Sequence, residues 1–251
     1  MTAPFYIIVG DDYRGFSDED KAFVLSDFYE KMLKNQGWPE TNAKVVLGQG
    51  VSYHDREFLS HTLKKRGVDN FYPLPEVAPL DVTHKRSQEN VLISKPEKFS
   101  QYRYRFDLSI TDKVDRLSDH VTGKHVGAML LMEASRQATI AVLEDEYCST
   151  AEVDYGLILD RFDSQFNGYL FPLPCTLDTS IEELRSSSKN ITVIVKTTVS
   201  QCGTVIANIN LDVTLCITKV LDKIEARKAQ GVVKDLEQSF AQSDAQQLHI
   251  A

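Results

Sequence analysis

From Gly127 to about Tyr147 the chain has a stretch of helical length whose apolar residues fall on nearly every side: Met129, Leu130, Leu131, Met132, Ala134, Ala138, Ile140, Val142 and Leu143. A surface helix carries one apolar stripe, whereas a helix apolar all round has to be enclosed by the rest of the molecule. The enclosing material is visible on both sides of it. Tyr104, Phe106, Leu108 and Ile110 alternate with Arg105, Asp107 and Ser109, the period of a half-buried strand. Ile191, Val193 and Val195 alternate in the same way, and so, beyond Gln201-Cys202-Gly203, do the odd-numbered residues from Val205 to Ile217. These last two runs predict a long antiparallel hairpin with one apolar face.

A long antiparallel sheet wrapped round one buried helix is the hotdog arrangement. The expected fold class is therefore α+β, with a single hotdog over residues 81–220. Residues 1–80 read differently, as a small β/α segment. Phe5 to Val9 is a buried-strand run, Ser17-Asp18-Glu19-Asp20 reads as an acidic helix start, and Phe23, Val24, Phe28, Met32 and Leu33 follow at helical spacing. A second run, Ala43 to Leu47, leads through Gly48-Gln49-Gly50 into a helix expected from about Asp55 to Arg66. The glycines there lack the spacing of a nucleotide-binding loop and are read as turns. Pro73, Pro75 and Pro79 mark an extended linker, where the boundary is placed. Residues 221–251, rich in Lys, Glu, Gln and Ala, read as an amphipathic helix and a frayed end.

Composition narrows the function. With 28 Lys and Arg against 36 Asp and Glu the net charge is −8, which argues against a nucleic-acid partner, since such affinity rests on neutralising phosphates. No apolar run approaches the roughly 20 residues of a membrane-spanning helix, and Met1 to Phe5 show no basic leader, so no membrane partner and a cytoplasmic location are expected. Cys148, Cys175, Cys202 and Cys216 form no Cys-x-x-Cys pair and read as reduced thiols.

Chemistry concentrates in and before the enclosed helix. Glu133, Arg136 and Gln137, at spacings of three and four, share one of its faces. A carboxylate in such surroundings is either paired or put to use. The bland alternative is a structural Glu133–Arg136 pair. The preceding loop, Asp119 to Gly127, brings His120, Lys124 and His125 to the helix N-terminus, where the amides of Gly127 and Ala128 are placed to hold an oxyanion. As metal ligands, His120 and His125 lack a third partner at a supporting spacing, so neither a metal nor a cofactor is expected.

His120-Val121-Thr122-Gly123, with Glu133-Ala134 in the helix, resembles the loop-to-helix segment of hotdog hydroxyacyl-ACP dehydratases. It departs from them in having Val-Thr for Phe-Pro and a shorter interval to the glutamate, so their catalytic pair is not carried over. A closer resemblance is to the A-factor biosynthesis (AfsA-type) hotdog family. Three motifs appear in order: Thr83-His84-Lys85-Arg86-Ser87, Asp119-His120-Val121-Thr122-Gly123-Lys124-His125, and Leu130-Leu131-Met132-Glu133-Ala134-Ser135-Arg136-Gln137. The similarity covers residue 82 to about 218.

The resemblance implies an acyltransferase that condenses a 3-oxoacyl thioester on acyl carrier protein, or an acyl-CoA, with a small hydroxylated or phosphorylated acceptor such as dihydroxyacetone phosphate. It implies Glu133, His120 and His84 as catalytic candidates, and Lys85, Arg86, Lys124, His125, Gly127, Ala128, Arg136 and Gln137 as substrate-binding ones. Family members of the streptomycete type are similar to tandem hotdogs; one hotdog here implies a homodimer. Acyl carrier protein is acidic, so docking it requires local basic groups, for which Lys64-Lys65-Arg66, Arg103 with Arg105, and Lys223-Arg227-Lys228 are candidates. The competing readings are a hotdog dehydratase or thioesterase, and a non-catalytic acyl-binding or scaffold subunit.

Overall fold

The computed structural model describes residues 2–18, 20–114, 123–149, 151–187 and 190–248. Among them two sheets form. The first is parallel and consists of β1 (Phe5–Val9), β2 (Ala22–Val24), β3 (Lys44–Leu47) and β4 (Asn70–Tyr72), in the order β2-β1-β3-β4. Helix α1 (Leu25–Lys34) leads from β2 to β3, and α2 (Tyr53–Lys65) from β3 to β4. The second sheet is antiparallel, with β5 (Glu97–Ser100), β6 (Arg103–Asp107), β7 (Tyr155–Phe166), β8 (Thr176–Ser186), β9 (Asn190–Gln201) and β10 (Thr204–Ile217) in the order β5-β6-β8-β9-β10-β7. Helix α3 (Ala128–Leu143) lies against its apolar face, and α4 (Thr218–Leu248) follows β10 directly.

The predicted hairpin is β9 and β10, whose register sets Leu211 opposite Val195 and Leu215 opposite Ile191. Its turn is made by Cys202 and Gly203, at φ 50° and 78°. Positive φ at both central residues is the twist that suits a two-residue hairpin. Ala134, Ala138 and Val142 of α3 are fully buried in one core with Phe106, Leu177, Val195 and Leu211 of the sheet. The helix ends in a single π-helical turn, Glu144–Cys148.

The N-terminal expectation needs one correction. The acidic run does not start a helix: Asp11–Phe16 is a short 3-10 turn, and the Asp18 carboxylate accepts the amides of Asp20, Lys21 and Ala22 at 3.0, 2.6 and 2.9 Å. That side-chain turn competes with helix initiation. It sends Ala22–Val24 into a parallel ladder against Ile7–Val9, so Phe23 and Val24 are strand residues and the helix begins only at Leu25.

The parallel sheet is apolar on both faces. Tyr6, Ile8, Val45 and Leu47 pack under α1 and α2 with Phe28, Leu59 and Leu63. Val9 and Val24 point the other way and join the core that surrounds α3. No helix among the described residues is long and apolar enough to cross a membrane.

Candidate functional site

Glu133 sits on α3 at the centre of a four-residue network. Arg136, one turn on, donates from Nε to Oε2 at 2.8 Å and from Nη2 to Oε1 at 2.9 Å. Gln137 donates to Oε1 at 2.9 Å and to the carbonyl of Asn90 at 2.8 Å, while its own oxygen accepts the amide of Leu92 at 2.8 Å. The fully buried Gln137 thus ties α3 to the segment before β5. Lys85 of that segment places its Nζ 2.5 Å from Glu133 Oε1. Burial by itself would raise the Glu133 carboxyl, but the hydrogen bonds from Arg136, Lys85 and Gln137 outweigh it and hold the group at about 2. The arrangement is two cations around one permanent carboxylate.

Lys85 is delivered by a tight turn. The buried Thr83 hydroxyl bonds to the Pro79 carbonyl at 3.2 Å, and the amide of Lys85 bonds to the Leu80 carbonyl at 2.9 Å. Between them His84 takes φ 51°, a left-handed conformation uncommon for a residue with a side chain and often found at functional sites. Its Nε2 lies 3.0 Å from Oε1 of Glu144, at the end of α3. Sequence reasoning missed Glu144, because sixty residues separate it from His84 and nothing local marks the pair.

A cavity of about 150 Å³ opens beside this network. His84, Arg136 and Thr139 form its polar side, and Ile140, Leu157, Leu159, Leu211 and Val213 its apolar walls. Thr139 is 2% exposed and its hydroxyl has no hydrogen-bond partner among the described residues.

Of the other expected residues, Gly127 caps α3 without a side-chain bond and is half-buried, and Ala128 is exposed. His125 packs its ring 4.9 Å from that of Tyr169, Lys124 is exposed, and so is Arg86. His120 lies outside the described residues, as does the rest of 115–122. Among the described residues no group of three His, Cys, Asp or Glu side chains is placed to hold a metal ion. Of the basic patches, Arg66 donates to the carbonyls of Trp38 and Met32, and Arg105 pairs with Asp178 at 2.7 Å over the ring of Phe99. Lys223, Arg227 and Lys228 are exposed on α4.

The N-terminal unit reaches the loop that leads into α3. A Cβ on Gly15 would lie 2.9 Å from the Gly123 carbonyl oxygen and 2.9 Å from Lys124 Cγ, so the 3-10 turn touches that loop because residue 15 has no side chain. Gln49, fully buried at the end of β3, gives its amide to the Leu108 and Leu173 carbonyls at 3.0 and 3.3 Å and accepts the amide of Ile110 at 2.8 Å. Arg56 of α2, buried and with no carboxylate bound to it among the described residues, donates to Ser109 Oγ at 2.8 Å and to the Ile110 carbonyl at 2.9 Å. Gln49 and its flanking glycines stand where an open parallel sheet would present a ligand crevice, and here that place is filled by the second sheet's own segments.

Among solved structures, the ApeI:P dehydratase heterocomplex of Xenorhabdus doucetiae matches with 17% identity and a TM-score of 0.45, over 59% of this chain and 97% of that one. A mutant thioesterase of Pseudomonas aeruginosa matches with 14% identity and a TM-score of 0.40, over 57% and 95%. A mutant thioesterase of Staphylococcus aureus matches with 9% identity and a TM-score of 0.39, over 55% and 97%. No curated protein sequence matches. The family model of the A-factor biosynthesis hotdog domain matches residues 69–217. That match spans more than half of the molecule and takes in the helix, the His84 turn and the Glu133 network, and the chain belongs to the A-factor biosynthesis (AfsA) hotdog-domain family.

Proposed function

We propose that this protein is an AfsA-like acyltransferase. It joins a 3-oxoacyl group, delivered as a thioester on acyl carrier protein or coenzyme A, to the hydroxyl of a small phosphorylated or hydroxylated acceptor such as dihydroxyacetone phosphate, toward a butenolide-type signalling or secondary metabolite. The observation that carries this reading is the pair of charged or titratable side chains at the polar side of an apolar-walled cavity, Arg136 held by Glu133 and His84 held by Glu144. The walls suit an acyl chain, and the Arg136 guanidinium on the cavity suits an acceptor phosphate.

A carboxyl held at about 2 is a poor proton acceptor at neutral pH. Glu133 therefore serves to fix Lys85 and Arg136. His84, on the same cavity and oriented by Glu144, takes the proton from the acceptor hydroxyl. The oxygen bonds to the thioester carbonyl carbon, the carbon–sulfur bond breaks, and His84 returns the proton to the leaving thiolate. The amides of Gly127 and Ala128 stand at the other end of α3, roughly 24 Å from Glu144 by the rise of a helix, and are candidates for holding a part of the acyl donor distant from His84. Lys124, His125 and Arg86 remain candidates for holding the acceptor, and His120 for a second proton carrier.

We also take the chain to work as a cytoplasmic homodimer, because β7 is an open edge of the sheet and one wall of the cavity. The division proposed is 1–80, 81–220 and 221–251. The test is incubation with 3-oxoacyl carrier protein, with and without dihydroxyacetone phosphate, followed by mass spectrometry. An ester that forms with wild type and is lost with His84→Asn supports the reading. The saturation of Glu133 by three partners favours a second one, an acyl-binding subunit without turnover, and acyl thioester bound but unconsumed with every acceptor would select it.

A further inference from the structure

Helix α4 leaves the body of the protein after its first turn. Leu221 packs against β7 where Gly156 makes room, since a Cβ there would fall 2.5 Å from Leu221 Cδ2. Every residue from Asp222 to Phe240 is exposed. Yet this free stretch is not polar all round. The helical repeat brings Ala226, Ala229, Val232, Val233, Leu236 and Phe240 onto one side, and the four large ones are 57–67% exposed. Most helical stability in water comes from packing an apolar face. A face this size on a helix with no tertiary support calls for a cover.

The charges beside the face say what fits it. Lys228 and Asp235 border one side, Gln230 and Glu237 the other. An antiparallel copy of the same helix, crossing about a two-fold axis near Val232 and Val233, sets Lys228 against Asp235 of the second copy, twice by symmetry. It also sets Leu236 over Ala229 of that copy, large against small, and brings Glu237 near Gln230. A parallel pair would instead put Asp235 beside Glu237 of the second copy. We propose that α4 pairs antiparallel with α4 of a second copy of this chain, through the face centred on Val232 and Val233. This interface lies apart from the cavity and does not depend on the acyltransferase reading.

The test uses the full chain with Cys202→Ser, which removes the exposed native thiol. Val233→Cys in this background should form a disulfide-linked dimer under mild oxidation, with the link mapped to position 233 by peptide mass spectrometry. In sedimentation, Lys228→Asp should weaken self-association about tenfold, the effect of a reversed interfacial charge, and Lys228→Asp with Asp235→Lys should restore it. The proposal is overturned if Val233→Cys stays unlinked, if Lys228→Cys links to itself as readily as Val233→Cys, or if the double reversal associates no better than the single one. It is also overturned if wild type stays monomeric and co-sediments with anionic phospholipid vesicles through this face.

Discussion

Lys85 Nζ stands 2.5 Å from Glu133 Oε1, joining a turn before the second sheet to the helix at its centre. Because Arg136 and Gln137 bond the same carboxylate, removing it would leave two partly buried cations facing each other. Glu133→Gln should cost about 3 kcal/mol, the lower end of the range for breaking a buried ion pair, as read from urea unfolding at pH 7. Glu133→Gln with Lys85→Met should recover part of it.

The same carboxyl makes stability depend on pH. Its folded value of about 2 lies below the ordinary 4.5, so the stabilisation is complete above pH 4.5 and is lost as pH falls toward 2. The difference amounts to roughly 3 kcal/mol. Acid unfolding of wild type should be steeper between pH 4.5 and 2 than that of Glu133→Gln, and the two curves should converge at the acid end.

His84 combines a left-handed backbone with a carboxylate partner, Glu144, at 3.0 Å. Asparagine tolerates that backbone better than alanine does. His84→Asn should unfold within about 0.5 kcal/mol of wild type, while turnover of the acyl thioester falls about 100-fold or more, the usual contribution of a general base. Glu144→Gln should lower turnover less, since the imidazole remains. Equal rates for wild type and His84→Asn would remove His84 from the chemistry.

Thr139 lines the cavity, and its buried hydroxyl has no hydrogen-bond partner among the described residues. Replacing it with the isosteric Thr139→Val removes an unmet hydrogen bond, and thermal unfolding should show a protein as stable or about 1 kcal/mol more stable. Binding of an acyl thioester, measured by calorimetry, should be unchanged in the same variant, because the hydroxyl is buried from the cavity.

Gln49 supplies three hydrogen bonds across the contact between the two sheets. Gln49→Leu removes the bonds to the Ile110 amide and the Leu108 carbonyl, while the Leu173 carbonyl keeps the one from Gln201, and should destabilise the whole chain by about 3 kcal/mol. Both sheets should still unfold in a single transition, because Val9 and Val24 of the first lie in the core of the second. Two separate transitions in wild type, resolved by calorimetry, would contradict that shared core.

Local patterns were legible wherever the physics is local. The all-round apolar character of 127–147 gave away its enclosure, and strict alternation located the β9–β10 hairpin and its Cys202-Gly203 turn. The face shared by Glu133, Arg136 and Gln137 followed from the helical repeat. The N-terminal misreading has an equally local cause: Ser17 to Asp20 has the composition of a helix start, and only the Ile7–Val9 edge made Ala22–Val24 a strand.

Periodicity and residue type therefore sufficed for the enclosed helix, the wrapping sheet, the three motifs and the acidic balance. Tertiary structure alone decided that Lys85 meets Glu133 and turns a possible base into a fixed anion. It also decided that Glu144 orients His84, that Thr139 lines a cavity, and that Gln49 and Arg56 fasten the N-terminal unit to the hotdog. These are meetings of side chains far apart in the chain, and their geometry depends on the path of the backbone, which no local period encodes.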